Sequence, residues 1–166
     1  MLVGILSDSH DNLPNLGKAI AHLEQQGVRA LLHCGDICTV ETTATMATLT
    51  SLPTHIVFGN GDYDQEGMQA LAKQYKNLFF YGDTGELTLD GLSIAWNHYP
   101  EVAERLAATG KYWAVFHGHT HIPWEKKIGS CIIRNPGTVA GLRNKATCAI
   151  LDTATNVARL IILERL

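Results

Sequence analysis

The sequence predicts an α/β fold built on a mixed or double sheet. Three observations carry that expectation. The first sixty residues alternate short apolar runs with amphipathic stretches, the order of a parallel sheet with crossover helices. The second half switches to short strand-like runs separated by turn residues. The chain has 166 residues, 46% of them hydrophobic and 17% charged, which suits one folded domain over residues 1–166 with one substantial core.

The elements follow in order. LVGIL (residues 2–6) reads as a buried strand, and the turn-rich SDSHDNLPN comes after it. Asp11 or Asn12 can cap the next helix and Pro14 fits its first turn. Leu16, Ile20 and Leu23 share one helical face, and Gly27 is a stop. RALLHCG (29–35) is a second strand. Residues 40–49 make a weaker helix, because threonine is a poor helix former, and Pro53 breaks it. HIVFG (55–59) is a third strand, followed by a helix over 67–75. FFYG, ELTLDG, LSIAWNH, WAVFHG, CIIRNPG, TCAILD and VARLIILERL are then short strands, interrupted by a helix over 100–109. EKK (125–127) reads as a solvated turn or edge.

A formal net charge of −3 argues against a general nucleic-acid or membrane binder, since phosphate backbones attract basic surfaces. No stable nucleic-acid partner is expected. No apolar run has the length needed to cross a bilayer. MLVGILSDSHD has no basic leader and too short an apolar run for a signal peptide, so the expected location is cytoplasmic. Cys34, Cys38, Cys131 and Cys148 form no CxxC pair and are expected to be free thiols, mostly buried filler.

The strand ends carry the chemistry. Asp8 and His10 follow the first strand, Asp36 the second, and Asn60 and Asp62 the third. His98 follows LSIAWN, and His117, His119 and His121 follow WAVF. Ligands of open α/β sheets bind outside the carboxyl ends of the strands. Side chains alternate along an extended chain, so Asp8 and His10 are expected to share a side, as are His117, His119 and His121. Carboxylate and imidazole donors suit divalent transition metals. Taken singly, Asp8 and Asp36 would be helix caps and Asn60 a turn residue. Their shared order with the histidines selects the ligand reading.

SDSHDN (7–12), HCGD (33–36), GNGD (59–62), His98 in WNHYPEV, GHTH (118–121) and NPGT (135–138) span nearly the whole chain. In this set the chain resembles the calcineurin-like metallophosphoesterases, in particular their small single-domain phosphodiesterases of bacteria and archaea. The resemblance implies a four-layer αββα sandwich of two mixed β-sheets flanked by helices. It also implies two divalent metal ions, with manganese first and nickel, iron or zinc as alternatives. Asp8, His10 and His121 would hold one ion, Asn60, His98 and His119 the other, and Asp36 would bridge them. Asp36, Asn60 and His98 would also act on the substrate, the latter two by orienting the phosphate. His117 belongs to none of these motifs and reads as a strand histidine with a satisfied hydrogen bond.

The activity implied is hydrolysis of a small phosphodiester by a hydroxide bridging the two metals. Two divalent cations, two aspartates and one hydroxide leave a single positive charge, which matches a diester. The alternatives are a phosphomonoesterase or nuclease on the same site, or a non-catalytic metal-binding scaffold of the same fold. Two departures from the family pattern stand out. Asn97 replaces the usual glycine before His98, and Gly61 replaces the histidine that often follows the motif asparagine. Gly61 has no proton to give, so good leaving groups are expected to be favoured, with Asp62 a weak candidate donor. Arg134, Arg143 and Lys145 near NPGT read as surface charge.

Overall fold

The computed structural model describes residues 1–166. Strand β1 (Leu2–Leu6) leads into helix α1 (Leu13–Gln25). Asn12 caps α1 by accepting from the Asn15 N–H, and Pro14 lies in the first turn, where no N–H is required. Strand β2 (Ala30–His33) is followed by helix α2 (Val40–Leu49). The threonines of α2 are tolerated because its start is fastened. Thr39 accepts from the Thr42 N–H, and the hydroxyls of Thr39 and Thr42 donate to Asp11 at 2.7 and 2.6 Å. Asp11 therefore supports the following helix and not its own.

Strand β3 (Thr54–Ile56), helix α3 (Gln65–Ala72) and strand β4 (Leu78–Phe80) complete the first half. Helix α3 starts earlier than the pattern suggested because Asp64 accepts from the Gly67 N–H and fixes the first turn. The second half supplies β5 (Thr84–Leu89), β6 (Leu92–Asn97), α4 (Pro100–Ala108) and β7 (Ala114–Phe116). It continues with β8 (Trp124–Ile128), β9 (Cys131–Asn135), β10 (Thr147–Asp152) and β11 (Val157–Ile162). The EKK segment is an edge strand, β8, and its charged middle is what an edge exposed to water requires.

Two sheets form, and both are mixed. The first runs β11-β10-β1-β2-β3-β4, with β1 to β4 parallel and β10 antiparallel to both β1 and β11. The second runs β5-β6-β7-β9-β8, parallel at its centre and antiparallel at both edges. Strand periodicity sorts the side chains into layers. Val3 and Ile5 of β1 face the other sheet, where they meet Ile94, Trp96 and Phe116. Leu6 turns to the opposite face, against Leu16, Ile20 and Leu23 of α1. Helix α4 covers the outer face of the second sheet, with Ala103 and Ala107 on Ala95, Val115 and Ile133. The expected single core is thus three apolar layers inside a four-layer sandwich. Central strands are buried on both faces, which is why they read as unbroken apolar runs. No helix is long and apolar enough to cross a membrane.

Gly4 sets how closely α1 lies on β1. A Cβ there would stand 2.7 Å from Leu31 Cδ2 and 2.9 Å from Leu23 Cδ1. Both leucines are fully buried, so neither methyl has space to retreat. Gly4→Ala is expected to lower unfolding free energy by about 1–3 kcal/mol through overpacking. Urea denaturation would read this as a lower midpoint at constant slope, and an unchanged midpoint would mean that the layer yields.

Candidate metal centre

Strands β1, β2 and β3 of one sheet and β6 and β7 of the other end at a common edge. The loops there are zipped together by backbone bonds: Asp8 N–H to the Gly35 carbonyl, His10 N–H to Asp36, and Gly118 N–H to His98. All seven side chains singled out from the sequence converge on this edge. Asp8, His10 and His121 form one compact group, with His10 Nε2 3.1 Å from His121 Nε2 and His121 Nε2 3.2 Å from Asp8 Oδ1. Asp8, Asp36 and His98 form a second. His98 Nε2 lies 3.5 Å from Asp36 Oδ2, 3.2 Å from Asn60 Oδ1 and 3.2 Å from His119 Nδ1. Asn60 and His119 thus join the site through His98.

The route to this convergence differs from the one expected. Strand alternation does not aim these residues. Asp8, His10, Asp36, His119 and His121 all have positive φ, between 39° and 67°. They sit in left-handed turns beyond the strand ends, a conformation that Asp and His tolerate better than most residues. Each such residue costs on the order of 1–3 kcal/mol unless surrounding contacts hold it. His117 does not share their side. It is fully buried against Trp124, and Nδ1 makes a 2.9 Å contact with the Gly118 carbonyl while Nε2 has no partner. Its expected hydrogen bonding is therefore half complete.

The supporting contacts explain several motif residues that carry no donor. Asn135 donates to the Gly118 carbonyl at 2.9 Å and to Thr120 Oγ1 at 3.0 Å, fastening the turn that carries His119 and His121. Thr138 Oγ1 donates to the Asp8 carbonyl at 2.9 Å, and the Ala140 N–H reaches the same oxygen. NPGT is a clamp on two ligand-bearing loops. A Cβ at Gly118 would overlap Ser7 Oγ and Asp8 Oδ2, and one at Gly59 would overlap the Asp36 carboxylate. Only glycine permits these approaches. Asn97 is harmless to its neighbour because it turns away, donating to the Asp83 carbonyl and accepting from the Tyr99 N–H. His98 keeps its orientation through Nδ1, which donates to the Cys34 carbonyl at 2.8 Å.

Asp62 is neither a helix cap nor aimed at a substrate. Its Oδ2 accepts from the N–H groups of Asp36 and Gly59 at 2.9 and 2.7 Å, and Oδ1 accepts from Cys38 N–H at 2.7 Å. Arg134 also departs from expectation. It is buried, and its guanidinium binds Glu125 and Asn156, tying β8 to the β10–β11 turn. Arg143 and Lys145 are exposed as expected. His33 is buried beside Ser9, and desolvation pushes it down to about 3, so it stays neutral.

Burial alone would raise the Asp8 carboxyl, but the His121 hydrogen bond and the nearby His98 hold it below the usual range. The same contact with Asp8 raises His121 against its own desolvation. Two buried carboxylates facing imidazole nitrogens and an amide oxygen form a donor set that fits divalent transition metals. These His and Asp groups could hold a metal ion.

A profile described as the calcineurin-like phosphoesterase superfamily domain matches residues 1–156. The chain belongs to the calcineurin-like phosphoesterase superfamily. Like the family, it is a phosphoester hydrolase. The phosphodiesterase MJ0936 of Methanocaldococcus jannaschii is 31% identical over 169 aligned positions, covering 99% of this chain and 100% of that protein. The solved structure of an archaeal phosphodiesterase superposes with a TM-score of 0.89 at 28% identity, covering 98% of this phosphoesterase and 99% of that chain. The Escherichia coli phosphoesterase YfcE shares the fold, with a TM-score of 0.72 at 22% identity over 99% and 94% of the two chains.

Asp62→Asn tests the clamp. An amide cannot accept at both positions, so at least one buried N–H loses its partner. The expected cost is about 1–3 kcal/mol of stability in urea or thermal unfolding. If Asp62 instead served as a proton donor, the variant would unfold like the parent and lose only turnover.

Proposed function

We propose that this phosphoesterase is a metal-dependent phosphodiesterase working through a dinuclear centre. One observation carries the reading: Asp36 Oδ2 stands 3.6 Å from His10 Nε2 and 3.5 Å from His98 Nε2. A single carboxylate oxygen thus reaches both donor groups. Asp8, His10 and His121 would hold one ion, Asn60, His98 and His119 the other, and Asp36 both. Manganese heads the metals that these donors suit, followed by nickel, iron and zinc. Bound in a pair, such ions lower the pKa of coordinated water from about 15.7 towards 7 and polarise phosphoryl oxygens.

The chain's own residues do the rest. Asp36 is pinned by the Gly61 N–H, which donates to Oδ1 at 2.6 Å and leaves Oδ2 to face both donor groups. Asn60 is exposed and turns its Oδ1 towards His98, so its amide N–H is available to a phosphoryl oxygen. His98 is buried and oriented by the Cys34 carbonyl, which assigns its proton to Nδ1 and leaves Nε2 as the donor atom. The diester preference is supported by the name of the archaeal relative and by the match of a singly charged substrate to the site's residual charge. No side chain at position 61 can protonate a leaving group.

Metal-stripped protein should be inactive on an aryl phosphodiester and regain turnover when Mn²⁺, Ni²⁺, Zn²⁺ or Mg²⁺ is returned separately. Asp36→Ala should stay at background with every ion. The rate on the matching aryl monoester sets the class. Turnover of the monoester above the diester would reject the diester reading, and folded, metal-loaded protein without any turnover would leave a binding scaffold.

The absent proton donor makes a second expectation. A Cβ at Gly61 would lie 3.0 Å from Cys38 Sγ and 3.1 Å from Asp36 Oδ1, so a larger residue must turn the thiol aside. A general acid typically contributes about 10²–10⁴-fold. Gly61→His should therefore raise the alkyl-to-aryl diester rate ratio, an internal control for any general loss of activity. A constant ratio would show that leaving-group protonation does not limit this enzyme.

A further inference from the structure

Three of the four cysteines, Cys34, Cys131 and Cys148, are buried, and Cys38 alone is partly open to solvent. Cys38 follows β2 in a left-handed turn with φ of 88°, and its N–H is fixed to Asp62 Oδ1. Its Sγ lies 3.3 Å from His10 Nδ1, the single hydrogen-bond contact of that nitrogen. The other ring nitrogen, Nε2, faces Asp8 Oδ1 at 3.9 Å, Asp36 Oδ2 at 3.6 Å and His121 Nε2 at 3.1 Å.

An imidazole that binds a metal through Nε2 carries its proton on Nδ1 and donates it outward. For His98 the acceptor is a backbone carbonyl at 2.8 Å. For His10 it is a thiol sulfur, a weak acceptor. The two ends of the site are therefore braced unequally.

We propose that Cys38 is the positioning residue for His10, fixing its ring and tautomer and so setting the affinity of the ion held by Asp8, His10 and His121. The inference rests on the metal reading above. Partners of this kind are typically worth about 10–100-fold in metal affinity. A sulfur acceptor places the effect near the lower end, about tenfold. Cys38→Ala removes the acceptor and frees the ring. Cys38→Ser keeps an acceptor oxygen in nearly the same place.

The test is a Mn²⁺ titration of metal-stripped full-length protein, with free Mn²⁺ followed by its electron paramagnetic resonance signal. Circular dichroism confirms that each variant is folded. The expected result is that Cys38→Ala weakens one class of bound Mn²⁺ by about tenfold, within the 10–100-fold span, while Cys38→Ser binds like the parent. A Cys38→Ala curve that superposes on the parent's overturns the inference and leaves the metal reading intact. Equal weakening in both variants overturns it too, because the thiol would then act by packing. A parent protein that takes up neither Mn²⁺ nor, in its place, Ni²⁺, Fe²⁺ or Zn²⁺ removes the metal reading and this inference with it.

Discussion

Two carboxylates, those of Asp8 and Asp36, are buried within reach of one another at the point where two sheets meet. A charged group taken out of water must be compensated by hydrogen bonds and opposite charge. Backbone donors supply part of this. The Gly61 N–H binds Asp36, and the His119 N–H lies 3.2 Å from both oxygens of Asp8. Imidazoles supply more, as the contact between Asp8 and His121 demonstrates. The remaining oxygen positions face nitrogen atoms that also need a proton or a cation. The rest of the edge is arranged around that requirement: glycines where the backbone must pass close to a carboxylate, and Asp62 holding three N–H groups in place.

Neither sheet could build this alone. The first sheet presents Asp8, His10, Asp36 and Asn60, and the second presents His98, His119 and His121. Each donor group draws from both sheets, so the site exists only when the sandwich has closed. The apolar layer of Val3, Ile5, Leu32, Ile94, Trp96 and Phe116 therefore does more than stabilise the fold. It fixes the distance between two half-sites. The Asn135 contact fastens the His119–His121 turn within its own sheet, and the Thr138 contact locks the following residues against the Asp8 loop of the other. This bracing holds five residues in left-handed conformations that would relax in an isolated loop.

The site is also uneven. His98 is fully buried and braced by a carbonyl, whereas His10 is partly open and braced by a thiol. Asn60 and His119 are exposed, so the His98 side of the cluster opens to solvent. Cys38 Sγ would stand 3.0 Å from a Cβ at Gly61, so the thiol fills the space that a side chain at that position would take.

Most of the order of elements, a helix cap at Asp11 or Asn12, and the candidate donor residues at the strand ends are legible in the chain alone. Caps and turns are local, and the donor types announce their chemistry wherever they stand. Apolar runs marked the central strands because burial on both faces leaves no polar alternation to misread. The edge strand β8 was legible only as a solvated segment, since an exposed edge has no apolar signature. What the sequence could not set was direction and partnership. Alternation placed His117 beside His119 and His121, but the chain leaves the strand after Phe116, and left-handed turns decide where each ring points. Asp62 read as a weak candidate proton donor and Arg134 as surface charge. Asp62's partners at residues 36 and 38, and Arg134's at residue 156, are brought near only when segments distant in sequence pack together. Local chemistry is written residue by residue, whereas a hydrogen bond between loops depends on the closed sandwich that sets their separation.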